Sequence, residues 1–229
     1  MLIRAHQYAG VQQDAFDVLW MIVHKTRKLM HRSRWIRISE LLERRQQIVC
    51  GVGDDALRGA VGNDTLNGGA GNDDLDGGTG IDTATYFDAA AGVTVSLATA
   101  FRQNTGGAGS DIVRNIENLI GSSFADKLTG NGYANTLSGG LGNDTLDGGI
   151  GAGDTLDYSY VALGAGGLSV TLNGSSPAAA FVNSTDIDLV ANIENILATV
   201  NNDCIVGDAA ANSISGNAGD RSEEHTSEL

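Results

Sequence analysis

The chain has 229 residues, of which 32 are glycine and one is proline, and a formal charge of −14. Glycine is at about twice its usual share, and the acidity argues against nucleic acid or an anionic membrane as partners and for cations. No apolar run approaches the roughly 18 residues of a membrane span, and two cysteines, Cys50 and Cys204, do not make a disulfide framework.

In chain order, residues 1–49 stand apart. They carry nine Lys/Arg against four Asp/Glu, three of the four His, both Trp and a single Gly. The stretch "DVLWMIVHKTRKLMHRSRWIRISELLERR" has apolar residues partly at three- and four-residue spacing, which predicts a short, basic helical head. Three origins are open for it: an amphipathic helix for a membrane surface or partner, the end of an upstream helical domain, or misassembled sequence. Val18–Val23 is too short for a cleaved secretory signal, and the basic residues follow it rather than precede it. His24 and His31 lack partners at metal-ligand spacing.

The composition changes abruptly at Cys50. Residues 50–220 carry twenty-one Asp/Glu against four Lys/Arg, and thirty-one Gly. Asp55, Asp64, Asp73 and Asp82 are nine residues apart, and Leu57, Leu66, Leu75 and Ala84 follow them in step. Glycine turns precede each Asp: Gly51-Val-Gly53, Gly59-Ala-Val-Gly62, Gly68-Gly69-Ala-Gly71 and Gly77-Gly78-Thr-Gly80. The unit is G-G-x-G-x-D-x-U-x, with U large and aliphatic. This is block 1, residues 50–85. A connector over 86–120 contains "GVTVSL", whose alternation predicts a strand. Block 2, residues 121–159, repeats the nonapeptide at Asp126, Asn135 and Asp144, with Leu128, Leu137 and Leu146 in step. Its best-matching turn glycines are Gly139, Gly140, Gly142, Gly148 and Gly149, and one extra residue delays Asp154 and Leu156. A second connector, 160–197, holds "GLSVTL" and "NIENIL", echoing "GVTVSL" and "NIENLI" of the first. Block 3, residues 198–220, runs through Asp203, Ile205, Asn212 and Ile214 and stops at "GNAGD". The closing "RSEEHTSEL", residues 221–229, matches a translated sequencing adapter. It is read as an adapter-derived tail and set apart from the fold.

"GAVGNDTLNGGAGNDDLDGGTGIDTA" and "GGLGNDTLDGG" resemble the RTX family, the haemolysin-type calcium-binding nonapeptide repeats. The resemblance implies an all-β fold for 50–220: a parallel β-roll, or β-solenoid, with two units per coil and calcium between stacked turns. It also implies a secreted, extracellular protein, exported unfolded by type I bacterial secretion machinery and forming part of a larger chain.

The chemistry of the residues agrees independently. In D-x-U-x a strand points the aliphatic residue inward and its neighbours outward. Calcium takes six to eight oxygens at about 2.3–2.6 Å, and aspartates and turn carbonyls offer only oxygen. The candidate calcium ligands are Asp55, Asp64, Asp73, Asp82, Asp126, Asp144 and Asp154, with the turns of Gly59, Gly62, Gly68, Gly69, Gly71, Gly77, Gly78, Gly80, Gly139, Gly140, Gly142, Gly148 and Gly149. Stacking at eighteen residues pairs Asp55 with Asp73, Asp64 with Asp82, and Asp126 with Asp144. Asp154 falls against neutral Asn135 and one residue out of phase, so a weaker site is expected there. Phe124 and Tyr133 replace a glycine in their turns, which weakens the match at Asp126 and Asn135.

Other readings fit less well. "NDDLDG" places Asn72, Asp74 and Asp76 as an EF-hand would, but the twelfth position is Thr83 and no helices flank it. No Gly-Lys pair exists for a P-loop, and H-E-x-x-H and G-x-S-x-G are absent. Glu117 and Glu194 each stand alone between apolar positions, a poor arrangement for general acid–base chemistry. A flexible glycine linker accounts for the glycine content but not for the phase of Asp and Leu. No enzyme activity is expected. The function expected is a calcium-binding module of a larger adhesin or surface protein; the alternative is the carboxyl-terminal repeat region of a secreted toxin or enzyme.

Overall fold

The computed structural model describes residues 47–162, 165–216 and 221–224, and all of their regular structure is β-strand. The helix expected within residues 1–49 lies outside the described residues except at its end. The last residues of that head, Gln47–Val49, form the first strand, β1, so the repeat region starts before Cys50. Ile48 sits nine residues before Leu57 and packs against the core, so the nonapeptide phase begins inside the basic segment.

The chain winds between two faces. One face is an eight-stranded parallel sheet of β1, β3 (Thr65–Asn67), β5 (Thr83–Thr85), β9 (Asn118–Ile120), β11 (Thr136–Ser138), β13 (Thr155–Asp157), β17 (Asn195–Leu197) and β19 (Ser213–Ser215). The opposite face carries β2 (Ala56–Val61), β4 (Asp74–Thr79), β10 (Lys127–Thr129), β12 (Thr145–Asp147) and β18 (Asp203–Val206). Successive coils pair in parallel at eighteen residues, as in Leu57↔Leu75 and Leu128↔Leu146. Every second residue of each strand points inward. Leu57, Leu66, Leu75, Ala84, Leu128, Leu137, Leu146 and Leu156 therefore form a ladder through the core, each at most 2% exposed.

The extra residue before Asp154 is absorbed in the turn. Thr136 still pairs with Thr155 and Leu137 with Leu156, and Gly153 has φ 91°.

The connectors fill the same face by a different route. In the first, β6 (Thr94–Ser96) pairs forward, parallel to β10, with Val95 beside Leu128. The chain then turns back through β7 (Gln103–Gly106), antiparallel to β8 (Gly109–Arg114), and β8 lies parallel to β4. The second connector repeats this: β14 (Ser169–Thr171) pairs with β18, β15 (Ala178–Phe181) runs antiparallel, and β16 (Ile187–Ala191) lies on β12. Among the described residues antiparallel pairing is thus confined to the connectors, and the large side chains of Tyr86, at the start of the first, and Tyr158, just before the second, are buried. β20 (Arg221–Glu224), within the segment set apart on sequence grounds, pairs its backbone with β18. Among the described residues no helix is long and apolar enough to cross a membrane.

Candidate functional site

The turns stack into two edges. On the edge leading into β2, β4, β10 and β12, the amide of Asp55 donates to Asp73 Oδ1 at 2.8 Å, and that of Asp126 to Asp144 Oδ1 at 2.8 Å. On the other edge Asp64 N–H donates to Asp82 Oδ1 at 2.7 Å, and Asn135 N–H to Asp154 Oδ1 at 2.8 Å. The eighteen-residue pairing expected from the sequence is therefore present, and Asp154 holds the same place as the others despite its nineteen-residue separation from Asn135.

Each such carboxylate satisfies one oxygen and leaves the other bare. Asp73, Asp82, Asp144 and Asp154 are at most 1% exposed, and the Oδ2 of each is buried without a hydrogen-bond partner. The same holds for Asp203 Oδ2. A buried oxygen left bare costs about 1–3 kcal/mol, more when charged.

The glycine five residues before the Asp makes the space. A Cβ on Gly77 would fall 2.6 Å from Asp82 Oδ2, and a Cβ on Gly59 2.6 Å from Asp64 Oδ2. Gly68 and Gly139 cradle Asp73 and Asp144 in the same way, and a Cβ on Gly148, six residues before Asp154 because of the extra residue, would fall 2.9 Å from its Cγ. The remaining turn glycines are needed for coil-on-coil contact. A Cβ on Gly69, Gly71, Gly80 or Gly140 would press on a carbonyl oxygen of the preceding coil, at Gly51, Gly53, Gly62 or Ser122. Gly78 (φ 103°) and Gly80 (φ 142°) also lie where L side chains are strained. Gly62 (φ 124°), Gly142 (φ 123°) and Gly149 (φ 106°) complete the set.

The electrostatics follow from burial and crowding. Burial pushes the Asp73 carboxyl up to about 6; the Asp55 amide opposes this, while the charges of Asp111, Asp55 and Asp54 add to it. Asp144 is pushed up to about 8, by burial first and then by Asp188, Asp126 and Asp186 against the Asp126 amide. Asp154 rises to about 6, by burial first, with the Asn135 amide opposing and the charges of Glu194 and then Asp147 adding. Asp82 is also raised by burial. A divalent cation would remove both the desolvation cost and the repulsion.

Asp126 differs. Its Oδ1 accepts from Val93 N–H at 2.7 Å and from Ser122 Oγ–H at 2.8 Å, and its Oδ2 accepts from Ser122 N–H at 2.5 Å. Its carboxylate is satisfied by protein, in keeping with the imperfect turn around Phe124.

Four connector residues fill aspartate places that the nonapeptide pattern does not reveal. Asp111 Oδ1 caps Asp73 N–H at 2.9 Å and Asp188 Oδ1 caps Asp144 N–H at 2.8 Å. Glu117 Oε2 caps Asp82 N–H at 2.8 Å and Glu194 Oε2 caps Asp154 N–H at 2.9 Å. The visible signal was the recurrence of N-I-E-N 77 residues apart. Tyr158 O–H donates to Asp188 Oδ2 at 2.8 Å, and Thr105 O–H to Asp111 Oδ2 at 2.8 Å.

The residues of the rejected EF-hand lie elsewhere. Asp74 and Asp76 sit outward on β4 between Arg58 of β2 and Arg114 of β8, at 2.8–3.7 Å. Partial burial raises the Asp74 carboxyl, but hydrogen bonds from both arginines hold it below its usual value. Cys50 and Cys204 are free thiols.

Among the described residues no three His, Cys, Asp or Glu side chains converge on one point as a metal cluster. The oxygens come instead from stacked turns, one bare carboxylate oxygen at a time among backbone carbonyls, a hard all-oxygen environment of the kind calcium takes. A parallel solenoid with such turns is a calcium-binding repeat fold. A family model described as the RTX calcium-binding nonapeptide repeat (4 copies) matches residues 51–84, 120–154 and 197–220, a stretch in each of the three blocks. No curated protein matches the chain.

Proposed function

We propose that the chain is a calcium-dependent structural segment of a secreted bacterial protein, a piece of a larger adhesin or surface protein, which orders when it meets extracellular calcium. The observation that carries this reading is the set of buried, unpartnered oxygens on Asp73, Asp82, Asp144 and Asp154, each in a glycine cradle. These four carboxylates, with Asp64 and carbonyls of the glycine turns, would hold the ions. Calcium, when bound, supplies positive charge that the opposed oxygens share. The chain's own residues fix those oxygens: backbone amides orient each Oδ1, and the leucine ladder keeps successive turns in register.

The thin core supports the dependence on metal. Each nonapeptide buries about one large aliphatic side chain against the ordering of nine residues of backbone. A ligand that binds the folded turns and not the open chain adds its binding energy to folding. Such a segment stays unfolded where calcium is scarce, which suits export before folding.

The test is far-ultraviolet circular dichroism of the full chain with a chelator, with millimolar calcium, and with millimolar magnesium. A β-rich spectrum is expected with calcium alone, because magnesium demands a small octahedral shell. The same β-rich spectrum in all three conditions overturns the reading.

A further inference from the structure

The edge leading into β3, β5, β9, β11, β13, β17 and β19 is not chemically uniform. Its places are held in order by Asp64, Asp82, Glu117, Asn135, Asp154, Glu194 and Asn212. The two asparagines each stand eighteen residues after a glutamate, and the two Glu–Asn pairs are 77 residues apart.

Where Asn replaces Asp, the backbone facing the side chain changes polarity. At Asp82 the side chain meets an N–H, that of Asp64. At Asn135 it meets a carbonyl: Nδ2–H donates to Glu117 O at 2.9 Å. Thr136 N–H, for its part, donates to Asn118 Oδ1 at 3.2 Å. The other end of the amide is also used, since Asn135 Oδ1 accepts from Asn131 N–H at 2.7 Å. Asn212 repeats the amide's two bonds, although Glu194 O there also accepts from Ser213 N–H at 3.2 Å. The Asn212 Nδ2–H donates to Glu194 O at 3.2 Å and its Oδ1 accepts from Asp208 N–H at 2.9 Å. A carboxylate cannot do this, because it has no donor.

The cradle is kept: a Cβ on Gly130 would fall 2.5 Å from Asn135 Oδ1. At Asp82 the oxygen in that cradle is bare, as is the Oδ2 of Asp154; in the asparagine turns a backbone amide occupies it. We propose that the rungs Glu117/Asn135 and Glu194/Asn212 are closed by protein hydrogen bonds and take no cation, so that calcium on this edge is confined to the aspartate rungs. This rests on the calcium reading above and says where along the solenoid the metal is not needed. The closed rungs fall where each connector rejoins the stack, and they hold those junctions independently of calcium.

The experiment counts bound calcium by equilibrium dialysis and measures the melting midpoint at saturating and at lower calcium. It compares the full-length chain with Asn135→Asp, Asn212→Asp and Asp82→Asn. Asn135→Asp keeps the shape and removes the donor. The ion count should stay the same and the midpoint should fall by about 5 °C at both calcium levels. A changed ion count, or a midpoint that holds or rises in calcium, overturns the proposal. Should Asn135→Asp fail to fold, Asn212→Asp gives the same reading from the last described rung. Asp82→Asn separates the two ideas: it should lose an ion, and if it does not, the calcium reading fails rather than the closed rungs.

Discussion

The amide of Asp64 and Oδ1 of Asp82 are 2.7 Å apart, joined across one full turn of the solenoid. The bond orients the Asp82 carboxylate so that its second oxygen, buried and unpartnered, lies in the cradle of Gly77. One side chain thus stitches two coils and presents a ligand atom. Asp82→Ala should remove about one bound ion and also uncover the Asp64 amide, at a cost of about 1–3 kcal/mol. Calorimetric calcium titration with thermal melts reads both. Loss of stability with full calcium binding would mean that the carboxylate is only a cap.

Asp154→Ala separates spacing from position. The off-phase spacing predicts little change. The structure places the carboxylate as it places Asp73, at most 1% exposed with a bare Oδ2. A loss of calcium binding comparable to that of Asp73→Ala is therefore expected in the same titration.

The metal-free chain should be more stable in acid. Asp144 titrates at about 8 in the fold, and Asp73, Asp154 and Asp188 at about 6, against about 3.9 in the open chain. Between those limits the folded form holds more protons, so its stability rises as pH falls from about 8 towards 4. Asp74, whose carboxyl is lowered, opposes this only below that window. Circular dichroism in metal-free buffer across the window should show strand content increasing as pH drops. A flat or opposite trend would show that these carboxylates are not desolvated.

Ala60 has φ 79° on the exposed surface, in the place that Gly69 and Gly78 hold in the next two turns. Ala60→Gly should stabilise the calcium-bound form by about 1 kcal/mol, raising the melting midpoint by about 2–4 °C.

Tyr158→Phe removes the donor to Asp188 Oδ2, a carboxylate with no exposed surface. A loss of about 1–3 kcal/mol is expected in chemical denaturation with calcium present.

The parts of this architecture that repeat were legible. The nine-residue phase of Asp and Leu located the core ladder, the two edges and the stacking partners, because a solenoid repeats in space what it repeats in sequence. The parts that break the repeat were not. Ile48 keeps the phase but has no glycine turn before it, so β1 falls inside the basic head. Asp111 and Asp188 sit inside strands and Glu117 and Glu194 lack glycine turns, so nothing local marked them as caps. The forward pairing of β6 with β10 joins residues 33 apart; alternation predicts a strand but not its partner.

That forward pairing gives the blocks an order of assembly. Each connector's opening strand belongs, in the hydrogen-bonded ladder, to the block that has yet to follow. Val95 waits for Leu128 and Val170 for Ile205. A chain emerging amino end first can close its first block at once, but it must hold β6 open until β10 arrives. The joint is a lap rather than a butt joint: cutting between blocks 1 and 2 leaves an orphaned strand on one side and a bare edge on the other. Neighbouring blocks are therefore overlapped through β6 on β10 and β14 on β18 rather than merely abutted.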